Sequence, residues 1–427
     1  MLTLPIILYH RIPRDQSFSS AVAAKFRTSS TSSLPLGDNS SLVEQMDNGD
    51  FLFNQALEGG PRIRQASMLF GTGEKGEDVT YERAIKTHLQ HGERWGYTTH
   101  VLRHDIVGKD DFKVLVFGKL LYLQSLIVQE MARPFGKRAE WIVWFDVDTI
   151  LLNQNIPWEA FLPPSDTFPD VHFLGNKDWN GYNCGVFFLR VNEWSVNFLT
   201  EASALPLLRP EVKLGVVGEN YEQDAMVWVM NKEGYREHVV YQPRQWQNPF
   251  FEGQNHELEY QKGDMMLHFA GLAKKHSSMG KWVDELDQSP DDFNIPLANL
   301  TLRADIAHFW TRLNNAKVLL DKAWELQSDD SVIQMFQYNP ALGDDLKDSI
   351  DELHKIYQET PYEKDAIRNA HSKLDAAIRA TKQAKHDVKE AERANAKAKA
   401  TLGQTPTETP TEEKADLDSG NLAKLKD

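Results

Sequence analysis

Residues 140–148 read Glu140-Trp141-Ile142-Val143-Trp144-Phe145-Asp146-Val147-Asp148. A short apolar and aromatic run bounded by charged residues is the pattern of a strand buried on both faces, and such a strand needs helices on each side of its sheet. The run stops abruptly at two carboxylates separated by one residue. Burying acids against an apolar strand is costly unless a cation or a donor meets them. Carboxylates at i and i+2 share one side of a strand, and a turn can converge them on one hard divalent ion. An isolated Asp-x-Asp is also an ordinary solvated strand end with an Asx-turn, so the surrounding sequence has to decide.

Outward from this stretch, residues 62–282 alternate short β-rich runs with helical ones, the signature of an α/β sheet. Strands are expected at 66–71, 98–104, 140–145, 171–175, 185–190, 239–242 and 265–269, and helices at 112–131, 192–205 and 221–232. Ligands of open α/β sheets bind beyond the carboxyl ends of strands. Gly71, Thr72 and Gly73 are therefore expected on the same rim as Asp146 and Asp148.

The flanks read differently. Residues 1–60 include a Ser/Thr/Asn/Asp-rich tract that cannot bury enough surface to offset chain entropy, and are expected to be a disordered leader. A catalytic domain is expected over 61–285 and a helical extension over 286–360, where Ile306, Trp310, Leu313, Leu320 and Trp324 recur at helical spacing. Over 361–427 an Ala/Lys-rich helix precedes a flexible tail. Ile367, Ala370, Leu374, Ala377, Thr381, Ala384, Val388 and Ala391 form a heptad seam there, and a coiled coil and a single exposed helix both fit it.

A formal net charge of −15 excludes general binding to a nucleic-acid backbone, which rests on clustered Lys and Arg. Cys184 is the only cysteine, so an intrachain disulfide and a multi-cysteine zinc site are excluded too. The first apolar run, Met1 to Tyr9, contains Pro5 and is far shorter than the roughly 20 residues that cross a bilayer. Residues 114–131 are longer, but Lys119, Gln124, Gln129 and Glu130 interrupt them as in a buried amphipathic helix.

Four further motifs accompany the Asp-x-Asp stretch: Lys119-Leu120 before it, then Asn183-Cys184-Gly185-Val186-Phe187-Phe188-Leu189-Arg190, Glu222-Gln223-Asp224-Ala225 and His268-Phe269-Ala270-Gly271. Singly, each has a plain reading. A lone lysine can snorkel to solvent, acids in a first helical turn follow from the helix dipole, and a histidine on an apolar strand is commonly a satisfied core residue. Together and in this order, over roughly residues 65–275, they resemble glycosyltransferase family 34, which contains fungal α-galactosyl- and α-mannosyltransferases and plant xyloglucan xylosyltransferases.

The resemblance implies a GT-A-type fold, a nucleotide-sugar-binding mixed sheet flanked by helices. It implies that Asp146 and Asp148 hold Mn²⁺ against the donor diphosphate, with His268 as third ligand, a set Mn²⁺ accepts. Lys119, Asn183, Gly185 and Gly271 are then expected on the donor with Gly71 and Thr72, and Glu222, Gln223 and Asp224 at the reacting centre. The family's basic residue after the motif histidine falls here on Ala273, with Lys274 and Lys275 next; a one-residue shift of the loop brings either onto the diphosphate, and Lys274 is taken as the candidate.

The implied activity is transfer of galactose or mannose from a nucleoside diphosphate sugar to a glycan hydroxyl with retention of configuration. The implied location is the lumenal face of Golgi membranes. A catalytically weak subunit of a Golgi glycosyltransferase complex, using the helical tail as its docking surface, is the alternative.

Overall fold

The computed structural model describes residues 63–70, 77–108, 111–215, 221–251, 259–272 and 274–402, all within the unit Asp50–Asp427. Gly71, Thr72, Gly73 and Ala273 lie outside the described residues, as do the expected leader over 1–60 and the tail beyond 402.

The strands are β1 (Ile63–Met68), β2 (Thr98–Leu102), β3 (Trp141–Phe145), β4 (Thr149–Leu151), β5 (Phe173–Asp178), β6 (Gly181–Arg190), β7 (Val239–Gln242) and β8 (Met266–His268). Six of them form a mixed sheet in the order β2-β1-β3-β6-β5-β7. β3 sits at its centre, parallel to β1 and antiparallel to β6. Because side chains alternate across a strand, Trp141, Val143 and Phe145 enter one core with Val186 and Phe188, while Ile142 and Trp144 enter the other with Phe187 and Leu189.

The helices are α1 (Glu77–Trp95), α2 (Phe112–Leu115), α3 (Gly118–Met131), α4 (Glu193–Leu208), α5 (Tyr221–Met230), α6 (Arg244–Gln247), α7 (Lys275–Gln288), α8 (Pro290–Phe293), α9 (Leu302–Gln327), α10 (Asp330–Tyr338), α11 (Pro340–Glu359) and α12 (Lys364–Leu402). Helices α3, α4 and α5 cover the Ile142/Trp144 face through Leu120, Leu123, Ile127, Phe198, Leu199 and Met226. On the opposite face Trp158 and Phe161 pack on Phe188, and Trp246 packs on Phe309 of α9, which joins the C-terminal helices to the sheet. This is the α/β architecture expected, a mixed sheet flanked by helices with a C-terminal helical extension.

Three details differ from the sequence reading. The helix expected over 112–131 breaks before Gly118, so Lys119 lies in the first turn of α3 rather than in mid-helix. The strand expected at 265–269 does not join the main sheet: Met266–His268 pairs antiparallel with β4 in a separate two-stranded ribbon. β4 is three residues long, too short for a periodicity signal. Lys113–Met131 is long and apolar enough to cross a membrane, but half of it is buried inside the protein, as a core helix requires.

The heptad seam of α12 is largely spent within the chain. Ile367, Ala370, Leu374, Ala377, Ile378 and Thr381 are buried in the extension, whereas Val388 and everything after it to Thr401 is exposed. Lys385 closes the packed segment by pairing with Asp329 at 2.6 Å. Burying an Ile or Leu side chain stabilises by about 1.5–3 kcal/mol, so these contacts hold the extension together. A chain ended after Lys389 should therefore melt within about 2 °C of the full protein, a cut through exposed helix being nearly neutral. A chain ended after Pro361 should lose the cooperative unfolding of the extension in calorimetry; equal melting of the two would contradict this packing.

Candidate active site

The site begins where β3 ends. Asp146 donates its backbone N–H to Gly185 O of β6 at 2.8 Å, and its carbonyl accepts from Thr149 N at 3.1 Å and Thr149 Oγ1 at 2.6 Å. These bonds turn the chain sharply out of the large sheet and into β4. The Thr149 hydroxyl, having given its proton to Asp146 O, accepts from His88 Nε2 of α1 at 3.0 Å. The His88 ring is stacked on Phe145 at 3.6 Å, and burial pushes its pKa down to about 3, which keeps it neutral.

One side of the turn meets a buried cation. Asp146 Oδ1 accepts from Trp144 Nε1 at 2.7 Å and pairs with Lys119 Nζ at 3.0 Å. Lys119 also reaches Glu222 Oε1 at 3.2 Å and the Cys184 carbonyl and thiol at 3.3 Å each. Burial opposes the charge on Lys119, but the surrounding Asp146, Cys184 and Glu222 outweigh it and hold the ammonium well above the usual lysine range. The same burial pushes the Cys184 thiol well up, so it is a neutral packing group rather than a nucleophile.

The other side is built by the ribbon. Thr149 is registered opposite His268, and Phe269 N–H donates to Asp148 O at 2.9 Å, which sets the Asp148 carboxylate beside the imidazole. His268 Nε2 lies 3.3 Å from Asp148 Oδ1, and Lys275 Nζ of α7 lies 2.7 Å from Asp148 Oδ2. Burial alone would raise the Asp148 carboxyl; the His268 ring and the Lys275 ammonium reverse this and hold it far below the usual carboxylate range. Asp146, Asp148 and His268 each offer one ligand atom, and these atoms lie within 4.8 Å of one another.

A chain of amides fixes which nitrogen His268 presents. Asn248 Nδ2 donates to Asn176 Oδ1 at 2.8 Å and to Asn183 Oδ1 at 2.9 Å, which uses both of its hydrogens. Each acceptor is itself oriented, since Asn176 donates to Val186 O and Asn183 Oδ1 also accepts from Gly185 N–H. Asn248 must therefore turn Oδ1 to His268 Nδ1, 2.8 Å away, so Nδ1 carries the proton. That leaves Nε2, which ion-pairs with Asp148 when protonated and is a ligand lone pair when not. Holding the far ring nitrogen in this way is what metal-binding histidines require.

Gly185 makes the approach sterically feasible. A Cβ there would stand 2.1 Å from His268 Cε1, far inside contact distance. The space beside Gly185 is taken by the imidazole, and Asn183, expected on the donor, is tied to Gly185, Asn248 and Asp178.

Of the acidic helix motif, Glu222 is buried on Lys119 and its Oε2 has no hydrogen-bond partner among the described residues. Gln223 accepts the Cys184 N–H at 2.9 Å through Oε1, so its amide nitrogen is the group left to meet a ligand. Asp224 receives the Gly215 N–H at 2.6 Å. Gly271 occupies a turn at φ +69° just after β8. Lys275, and not the exposed Lys274, is the lysine on Asp148.

Sequence reasoning missed Asn248, Asn176 and His88. No motif marks them, and their roles appear only once β5, β6 and the ribbon are brought together. Replacing Asn248 with Leu, of similar volume, should weaken Mn²⁺ binding roughly 10–100-fold, the usual effect of losing an outer partner of a metal histidine. Titration of the protein with Mn²⁺, read by electron paramagnetic resonance, checks this, and affinity within twofold of the parent would remove Asn248 from the site.

Comparison with known proteins gives a consistent relationship. Residues 161–278 match the galactosyl transferase GMA12/MNN10 family, a span that holds His268 and the Glu222-Gln223 pair, with Lys119, Asp146 and Asp148 upstream of it. A Schizosaccharomyces pombe protein described as a probable alpha-1,2-galactosyltransferase is 28% identical over 205 residues, covering 40% of this chain and 58% of its own. An alpha-1,2-galactosyltransferase of the same organism is 25% identical over 220 residues, covering 44% and 55%. The chain thus spans somewhat over half the length of these relatives. A solved glycosyltransferase involved in glycosylation of the major capsid of PBCV-1 aligns with TM-score 0.41 and 16% identity, over 53% of this chain and all of that one.

Proposed function

We propose, from the match of residues 161–278 to the galactosyl transferase GMA12/MNN10 family and from the geometry of the site, that the chain is a metal-dependent, retaining hexosyltransferase. It moves galactose or mannose from a nucleoside diphosphate sugar to a glycan hydroxyl, galactose being favoured by the names of its relatives. The observation that carries this reading is the convergence of Asp146, Asp148 and His268, whose donor set of two carboxylates and one imidazole suits Mn²⁺.

A bound Mn²⁺ would neutralise the charge that builds on the leaving diphosphate. The protein's own groups do the rest. Asp146 and Asp148 offer carboxylate oxygens and His268 offers Nε2, while Lys119 holds Asp146 in place from within the core. Lys275, seated on Asp148, is a cation that can turn to the diphosphate when an ion takes over that carboxylate. Gln223 presents its amide nitrogen, and Glu222 its buried Oε2, toward the reacting face of the sugar. Asp224 holds the Gly215 N–H.

We place the site of action at the lumenal face of the Golgi, as the resemblance to glycosyltransferase family 34 implies. The test is release of nucleotide from a panel of nucleoside diphosphate hexoses by the purified protein with Mn²⁺, with and without exhaustive chelation. Turnover that stops on chelation and returns with Mn²⁺ is expected. Undiminished turnover after chelation would end the metal assignment, and no turnover with any donor would favour a non-catalytic subunit.

A further inference from the structure

Trp179 is a large, half-exposed aromatic side chain joined through one intervening ring to the candidate metal triad. It occupies the two-residue connection between β5 and β6, where Asn180 N–H is capped by Asp178 Oδ1 at 2.6 Å and Gly181 adopts φ +109°. The indole is 46% exposed. Exposing an indole is unfavourable, yet this one is braced rather than loose. Its ring meets the edge of Phe250 at 5.4 Å, and the Arg244 guanidinium lies over both rings, 5.7 Å from Trp179 and 4.3 Å from Phe250.

The brace is itself anchored. Arg244 makes a bidentate pair with Glu259, with distances of 2.5 and 2.6 Å, and Glu259 also accepts the Phe250 N–H at 3.3 Å. Phe250 in turn meets the His268 ring edge-on at 5.3 Å. Two ring-to-ring steps thus connect an exposed indole to the third ligand of the triad. The strand that follows carries Asn183 two residues from the turn, so the same end of the hairpin orients Asn248, the partner of His268, and displays Trp179 at its tip.

We propose that Trp179 is the acceptor platform: its exposed face stacks on the apolar C–H face of a neutral hexose of the acceptor glycan and sets that sugar's hydroxyls toward the metal centre. This rests on the glycosyltransferase reading above and adds where the second substrate lies. A pyranose presents one face of C–H bonds, which an indole covers without needing charge, and the sugar hydroxyls remain free to bond the polar residues around it. Arg244, lying over the indole and fixed by Glu259, keeps the platform at one angle.

Two measurements test the platform. With Mn²⁺, a turned-over donor and an acceptor hexoside, Trp179→Ala should raise the acceptor KM by roughly 10-fold, the loss of one stacking contact of about 1.4 kcal/mol. Trp179→Phe should recover most of it, and affinity for Mn²⁺ and nucleoside diphosphate should stay within twofold in both variants. An unchanged acceptor KM, or nucleotide affinity lost in step with it, would overturn the proposal.

The second measurement needs no turnover. Saturation-transfer NMR with the methyl α-glycosides of mannose, galactose and glucose should show contact to the ring C–H protons in the parent protein and none with Trp179→Ala. Contact that persists in Trp179→Ala refutes the platform. Contact that disappears while the parent turns over no donor supports a sugar platform and refutes the transferase reading instead.

Discussion

Asp148→Ala should abolish Mn²⁺-dependent binding of nucleoside diphosphate, with an affinity loss beyond ~100-fold, because losing an outer partner alone already costs roughly 10–100-fold. The reasoning is geometric. Asp148 is the member of the triad that touches both other cationic or ligating groups, His268 and Lys275, so its removal leaves the imidazole and the ammonium without the anion between them. Gln223→Ala, in contrast, leaves all three ligands in place. Its amide nitrogen is proposed to act on the reacting sugar, and an interaction stronger in the transition state lowers turnover when lost. Calorimetry of nucleotide binding with Mn²⁺, alongside turnover, separates the two. If Gln223→Ala loses binding as completely as Asp148→Ala, the division between metal ligation and sugar positioning is wrong.

The second large effect is on stability. Lys119→Met should destabilise the protein by about 3–5 kcal/mol, the cost of stranding buried charges when one partner is removed. The side chain is almost wholly buried between Asp146, Glu222, Cys184 and the Trp144 ring, and Glu222 is itself buried. For a domain of this size that is on the order of 10 °C in Tm. Glu222→Gln in the same chain removes one stranded charge and should restore much of the loss. Thermal melts followed by circular dichroism decide it: a single variant that melts with the parent would show that Lys119 is a displaceable ligand contact rather than the counter-ion of the site.

The apolar run ending in Asp146 could be read from the sequence as a two-sided central strand because five large side chains stand together with charges at both ends. That Asp146 and Asp148 need a partner could be read too, because acids at the end of an apolar strand are costly to bury. His268 entered only with the resemblance, since a histidine on an apolar strand is commonly a core residue. What escaped was everything that depends on which strands neighbour which. β4 is too short to carry a period, the break before Gly118 leaves no proline or polar cluster, and Asn248 lies in a stretch without any pattern. The α12 seam shows the converse. Its spacing was plain, but whether another chain or this one fills it depends on where α9, α10 and α11 lie.

Asp146 belongs to the end of the six-stranded sheet, whereas Asp148 and His268 belong to the ribbon that diverges from it. An ion held by all three is therefore a clasp between two separately hydrogen-bonded layers. Binding confined to the folded state adds about 2.7 kcal/mol at an ion concentration one hundred times its dissociation constant. The junction between sheet and ribbon would then loosen first when the proposed ion is withdrawn, so the metal content of the surroundings would govern how long the folded protein endures.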